Sequence, residues 1–308
     1  MKILFTGVSG LLGRYFFEMN PDPSNYKIVG TSRNEWPQNC FELLSHYEAG
    51  PFEKVDRYRM LFDEFRPDVI VNAGSEGNVD AAQLNPEIAK RVNYEFPLFL
   101  VEEARRRRLK LVHFSSNAVY DGEHAPYSES SPMHPVNYYG SIKKRADEEV
   151  RNLDGDWILL RPIVAYGWNF PFGRKNPVSQ FLPLMLQRKS LRLVDDQFEN
   201  PIYAGDVARI LWKCLADEFC GELNVGGGDG GISRFDWMKT VAEVFGCADA
   251  PLEPTSRLTF PMAAPRPRDT HYDIGKLVNF LGYVPLTVRQ GAQAMLDDRQ
   301  RSHLSIGA

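Results

Sequence analysis

The stretch KILFTGVSGLLGRYFFEM, residues 2–19, decides the reading of the fold. KILFT (2–6) is a short apolar run of strand character, and LLGRYFFEM (11–19) has the spacing of a helix. Between and within them stand Gly7, Gly10 and Gly13, spaced G-x-x-G-x-x-G. Glycine lets the backbone turn tightly and approach a pyrophosphate, which then rests against the N–H groups that open the next helix. A glycine cluster by itself often makes only a turn. Placed after the first strand of a β-α-β unit, this one reads as a dinucleotide cradle formed by Gly7, Gly10, Leu11, Leu12 and Gly13.

Outward from this stretch, apolar runs alternate with helix-like segments. YKIVGTS (26–32), DVIVN (68–72), KLVHFSS (110–116) and WILLR (157–161) read as strands. DRYRMLFDEF (56–65), with Asp56 as a candidate cap, FLVEEARR (99–106) and SIKKRADEEVRN (141–152) read as helices. Strands this apolar are buried on both faces, and the alternation implies an α/β fold with a doubly wound, Rossmann-like parallel sheet. After about residue 165 the texture changes to the loop-like WNFPFGRKNP (168–177), the glycine-dense GGGDGG (226–231) and a Pro- and Arg-rich segment over 251–270. The expected organisation is a dinucleotide-binding domain over 1–165 and a smaller mixed substrate lobe over 166–308, with some segments packing back on the first domain.

A formal charge of −4 and a pI near 5.9 give no reason to expect a nucleic-acid partner. The one basic run, ARRRR (104–108), reads as a helix C-terminus, where cations suit the macrodipole. Cys40, Cys214, Cys220 and Cys247 lack metal or redox spacing and read as buried thiols in a reducing compartment. No run is long and apolar enough for a membrane span, and MKILFTG reaches a glycine too soon for a signal peptide. The expectation is a soluble cytoplasmic protein.

The second strand ends in Thr31-Ser32-Arg33. A free ribose 2′-hydroxyl usually meets an acid here, whereas an arginine holds a 2′-phosphate. Ser32 and Arg33 with no acid at 31–33 favour NADP(H), with NAD(H) as the second choice.

NYYGSIKK (137–144) offers two tyrosines and two lysines, but only Tyr139 and Lys143 are four apart and so share a helix face. Ketone reduction needs a hydride on carbon and a proton on oxygen. A tyrosine beside a lysine charge is moved toward that duty, because the charge favours phenolate. A hydroxyl must also hold the carbonyl oxygen as charge develops, and Ser115 and Ser116 both lie at a strand end. His113, in the strand before them, reads as a packed residue.

TGVSGLLG (6–13), NAG (72–74), SSNAVYDG (115–122), YGSIK (139–143) and LRPIVAYG (160–167) together resemble the short-chain dehydrogenase/reductase superfamily. Their order and intervals match the extended branch acting on nucleotide sugars. RPDVIVNA (66–73), the VN at 92–93, VDDQFENPIYAGDVA (194–208) and RPRDTHYDIGKLVNFLG (266–282) are similar to dTDP-4-dehydrorhamnose reductases and their relatives. The resemblance implies Ser116 on the carbonyl oxygen, Tyr139 as proton donor and Lys143 on the nicotinamide ribose. It also implies Ala73, Gly74 and Ser75 beside the cofactor, Asn117 on the substrate side and Arg266 on the substrate diphosphate.

The activity so implied is NADPH-dependent reduction of a nucleotide-linked 4-keto-6-deoxy sugar. A nucleotide-sugar epimerase with bound NAD and a non-catalytic, NADP-binding regulatory subunit share the likeness. Dehydratases of the superfamily carry an acidic pair after the catalytic hydroxyl, and here Asn117-Ala118 replaces it, which disfavours dehydration; rhamnose-type reductases commonly carry Asp-Tyr there. Some relatives bridge a dimer through metal-bound glutamates. The matching positions are Tyr15 and Gly205, so no metal is expected, while a homodimer stays compatible with the sequence.

Overall fold

The computed structural model describes residues 1–171 and 173–302. Seven parallel strands form the central sheet in the order β3-β2-β1-β4-β5-β6-β11. They are β1 (Lys2–Thr6), β2 (Lys27–Ser32), β3 (His46–Ala49), β4 (Val69–Asn72), β5 (Lys110–Phe114), β6 (Trp157–Pro162) and β11 (Gly221–Val225). Helices α1 (Leu11–Glu18), α2 (Val55–Phe65), α3 (Val79–Leu84), α4 (Pro86–Lys90), α5 (Phe96–Arg107) and α6 (Tyr138–Arg151) lie in the first half, with a π turn at Arg91–Glu95 between α4 and α5.

Alternate strand residues feed two different cores, as a sheet covered on both faces requires. Ile3, Phe5, Ile28, Val71, Val112 and Leu160 pack on one side with Phe16, Phe17 and Trp212. Leu4, Val29, Ile70, Leu111 and Leu159 pack on the other with Phe62 and Leu100. Each such buried side chain contributes about 1.5–3 kcal/mol of transfer free energy.

The second half adds β7 (Ala165–Tyr166), α7 (Pro177–Leu186), β8 (Leu191–Val194), β9 (Phe198–Glu199), β10 (Ile202–Tyr203), α8 (Ala204–Ala216), β12 (Ile232–Ser233), α9 (Arg234–Val244), β13 (Leu252–Thr255), α10 (Gly275–Asn279) and α11 (Val288–Ser302). β11 extends the main sheet beside β6, and α8 packs on α1, where the Trp212 and Phe16 rings stack 4.2 Å apart. The other helices α7, α9 and α11 gather round a separate core of Val178, Leu182, Trp237, Met238, Ala292 and Met295.

Several expectations change. Asp56 is not a cap: α2 starts at Val55 and Asp56 sits in its first turn. The cysteines are not all buried. Cys220 is exposed and Cys40 half-buried, because Cys220 falls in the turn between α8 and β11, where Gly221 has φ +121°. Tyr15 is buried against Tyr203, whose hydroxyl donates to Asp298, and the Tyr203 ring also fills the space a side chain on Gly205 would need. Those two positions form packed aromatic structure.

One contact matters for everything that follows. A Cβ on Gly140, in the first turn of α6, would lie 2.0 Å from the Ala118 carbonyl oxygen. Helix and SSNA segment meet there without a spare methyl group of room. Gly140→Ala is expected to destabilise the fold by about 1–3 kcal/mol and to displace Tyr139. The measurements are a chemical denaturation curve and the activity assay described below.

Candidate active site

The glycine loop has the shape its spacing implies. Gly7 sits at φ +78°, and a Cβ there would lie 2.7 Å from the Gly74 nitrogen, so this turn must be glycine for both conformation and approach. Gly10 caps α1 without any side-chain hydrogen bond. The N–H groups of Leu11, Leu12 and Gly13 therefore open the helix toward the cleft, an arrangement that suits an anion. Gly13 has a different duty: its hydrogen lies against the Val8 backbone, where a Cβ would come within 2.5 Å of the carbonyl oxygen. It lets the helix pack on its own loop.

At the end of β2, Ser32 departs from expectation. It is fully buried, its Oγ donates to the Asn34 carbonyl at 2.6 Å, and it shares a 2.7 Å hydrogen bond with the Tyr47 hydroxyl. It shapes the turn that presents Arg33 and does not itself face the cleft. Arg33 is half exposed and lies 3.4 Å from Glu76 Oε2, across the mouth of the glycine loop.

Ala73 N donates to the Thr6 carbonyl at 3.1 Å, and Gly74 lies under the Phe52 ring. Beyond them, Ser75 Oγ donates to Asn93 Oδ1 at 2.8 Å. The same amide accepts from Glu76 N at 3.0 Å and donates to the Glu76 carbonyl at 3.1 Å. Asn93, buried on the π turn, staples the 75–76 loop, a role that no local sequence signal marks.

Ser116 caps the turn Asn117–Val119, its Oγ accepting from Ala118 N at 3.2 Å. Asn117 Nδ2 donates to Thr270 Oγ1 at 2.7 Å, which ties this segment to the C-terminal lobe. Helix α6 opens at the Asn137 cap and buries Tyr139 and Lys143 together. Burial pushes the Tyr139 phenol above its usual 10; the Ser75 and Ser116 hydroxyls and the Arg174 charge pull it back, and Asp147 pushes it up.

One of the charges that favours the Tyr139 phenolate belongs to an arginine outside every sequence motif, Arg174. Arg174 sits in WNFPFGRKNP, and its Nη1 lies over Gly77, 2.8 Å from where a Cβ would stand. The loop is pinned at both ends. Arg14 donates to the carbonyls of Trp168 and Asn169, and Asn176 forms a capping box on α7 while donating to the Gly167 carbonyl. Only this three-dimensional return of the loop reveals Arg174, since no spacing links 174 to 139.

Lys143 turns its Nζ to the Phe114 carbonyl at 2.6 Å and to His113 Nε2 at 3.2 Å, and burial lowers its pKa to about 8. Arg266 lies beside α3, with Nη2 2.9 Å from Asp80 Oδ2 and Nη1 donating to the Ala264 carbonyl. Among the described residues no group of His, Cys, Asp and Glu is arranged to hold a metal.

The hydrogen bonds from Arg14 and Asn176 that hold the loop do not use the Arg174 side chain. Arg174→Gln is expected to cut kcat/KM by about tenfold with an unchanged melting temperature, measured by steady-state kinetics and calorimetry.

The family model described as the RmlD substrate binding domain matches residues 1–301. A dTDP-4-dehydrorhamnose reductase of Aggregatibacter actinomycetemcomitans is 28% identical over 298 residues, covering 92% of this chain and 94% of that protein. The methionine adenosyltransferase 2 subunit beta of Xenopus tropicalis is 26% identical, covering 90% of this chain and 81% of that one. Among solved structures, dTDP-4-dehydrorhamnose reductase from Bacillus anthracis in complex with NADP superposes with a TM-score of 0.83 at 20% identity, over 96% of this chain and 99% of that chain. Glycine loop, Tyr-Lys helix and C-terminal lobe thus lie within one match that runs from the first residue to the last described helix, and the chain belongs to the RmlD substrate-binding-domain family.

Proposed function

We propose that the protein reduces a ketone on a nucleotide-linked sugar with NADPH. The observation that carries this reading is the burial of Tyr139 beside the Ser116 and Ser75 hydroxyls, on the helix face that also carries Lys143, next to the glycine loop.

The residues fit a dinucleotide. Gly7 admits the close backbone approach, and the uncapped N-terminus of α1 suits the pyrophosphate. Arg33 suits a 2′-phosphate once it exchanges Glu76 for the stronger anion. Bound NADPH supplies the hydride. Tyr139 supplies the proton from Oη to the carbonyl oxygen, and Ser116 donates a hydrogen bond to that oxygen while negative charge builds. Asn117 offers no carboxylate to remove a proton from the sugar, so elimination of water has no base at this position.

For the rest of the substrate, Arg266 guards the opening beside α3. A cavity of 390 Å³ in the C-terminal lobe, bounded by Phe181, Arg192, Gln197, Glu199, Arg234 and Phe260, has aromatic faces for a base; Arg234 is paired with Glu199 at 3.2 Å there, and Arg192 is the further cation for a phosphate.

Pure protein mixed with NADPH and a panel of keto-sugar nucleotides is expected to consume NADPH with at least one of them; consumption with none overturns the reading. Tyr139→Phe should lower kcat at least about 100-fold while NADPH still binds. A regulatory subunit, the role that the likeness to the methionine adenosyltransferase subunit suggests, would keep its function in this variant. Arg33→Ala should weaken NADPH binding at least about tenfold and leave NADH binding unchanged, read by fluorescence titration.

A further inference from the structure

Thr6, Asn72 and His113 occupy one register line across the sheet. Thr6 pairs with Asn72 between β1 and β4, and Asn72 pairs with His113 between β4 and β5. All three side chains are buried and touch in sequence. Thr6 Oγ1 lies 2.6 Å from the Asn72 Oδ1, Asn72 Nδ2 lies 3.0 Å from His113 Nδ1, and His113 Nε2 lies 3.2 Å from Lys143 Nζ. The row begins at the residue before Gly7 and ends at the lysine of the proton-transfer pair.

Hydrogen-bond direction makes this row more than packing. An ammonium can only donate, so beside a charged Lys143 the ring must accept at Nε2 and carry its proton on Nδ1. The Asn72 amide must then make a half-turn about its last side-chain bond from the orientation just described, so that its oxygen meets the ring and its nitrogen meets Thr6. With the amide nitrogen toward the ring, Nε2 carries the proton and Lys143 must receive it as a neutral amine. One buried amide is coupled through one imidazole to the charge of the lysine.

Among the described residues, the hydrogen-bond partners of Lys143 Nζ are the His113 ring and the Phe114 carbonyl. β5 contributes His113 and the Phe114 carbonyl, α6 contributes Tyr139 and Asp147 one turn to either side, and β6 contributes Arg161. Asp147 acts to keep Lys143 charged, while burial, joined by the Lys143 and Arg161 charges, holds His113 well below its usual pKa, so the ring stays neutral.

We propose that His113 is a positioning residue of the proton-transfer site: it anchors Lys143 Nζ at the end of the Thr6–Asn72–His113 row and supports its ammonium form beside Tyr139. This rests on the reductase reading for its consequence in catalysis, but not for its test. A charge-assisted hydrogen bond is stronger than a neutral one, so losing it penalises the ammonium more than the amine. Phe at 113 removes the bond; Gln restores a neutral polar partner.

The experiment is ¹³Cε-lysine NMR titration of the ligand-free protein with the Lys143→Met variant for assignment, in parallel with the pH dependence of kcat. The Lys143 midpoint should fall by at least about one unit in His113→Phe and return to within about 0.3 unit of the parent in His113→Gln. The alkaline limb of kcat should move acidward by the same amount. A midpoint that stays at the parent value in a folded His113→Phe overturns the proposal, as does a Gln variant that titrates like the Phe variant. Should His113→Phe fail to fold, the Gln variant is read against Asn72→Leu, which breaks the row one residue earlier and is expected to shift the midpoint too; no shift overturns it. An unreactive parent would overturn the reductase reading alone, because the NMR midpoint needs no substrate.

Discussion

The site depends on how α6 is held against the sheet, and a buried ion pair does the holding. Arg161 of β6 and Asp147 of α6 are both fully buried, with Nε 3.0 Å from Oδ2, and the same carboxylate oxygen accepts from Ser115 at 2.8 Å. Arg161 also reaches Glu222 on β11. Such a pair is costly to desolvate, and losing one partner strands the other, typically at about 3–5 kcal/mol. Its geometry therefore dictates the helix position closely. Ser115 is spent on this anchor, while its half-buried neighbour Ser116 caps the turn Asn117–Val119.

From that anchor the other constraints follow. Asp147 lies one turn beyond Lys143, so the charge that binds the helix also helps keep the lysine protonated. At the opposite end of the same helix, the missing side chain of Gly140 lets the first turn lie on the Ala118 carbonyl, which brings Tyr139 into reach of Ser116. Rigid support sits behind the reactive groups, as preorganised electrostatics requires. The opening side is built instead from loops of both halves: 75–77 stapled by Asn93, the Arg174 loop, and the segment 264–270 joined through Thr270 and Arg266.

The strands, their order of appearance and the glycine loop were legible because each rests on local chemistry. An apolar run buried on two faces needs no partner to announce it, and G-x-x-G-x-x-G after such a run has few other uses. The Tyr139–Lys143 pair was legible for a similar reason, since helical spacing alone selects it among four candidates. The Ser32–Tyr47 contact was not legible, because a hydroxyl at a strand end looks the same in sequence whether it faces a cleft or a neighbouring tyrosine. His113 was read as packing. It is packed, but between Asn72 and Lys143, and that contact joins residues far apart in the chain.

By itself, then, the sequence determined the parallel α/β architecture, the glycine turn after β1 and the shared helix face of Tyr139 and Lys143, because periodicity and backbone conformation are set over a few residues. Only the tertiary structure decided that Arg174 returns over Gly77 and adds its charge to the surroundings of Tyr139, that Ser115 anchors to Asp147 while Ser116 caps the next turn, and that a polar row from Thr6 to His113 ends on the lysine. Those outcomes depend on strand register and on burial of charge. Both arise when distant segments meet, and no local pattern encodes them.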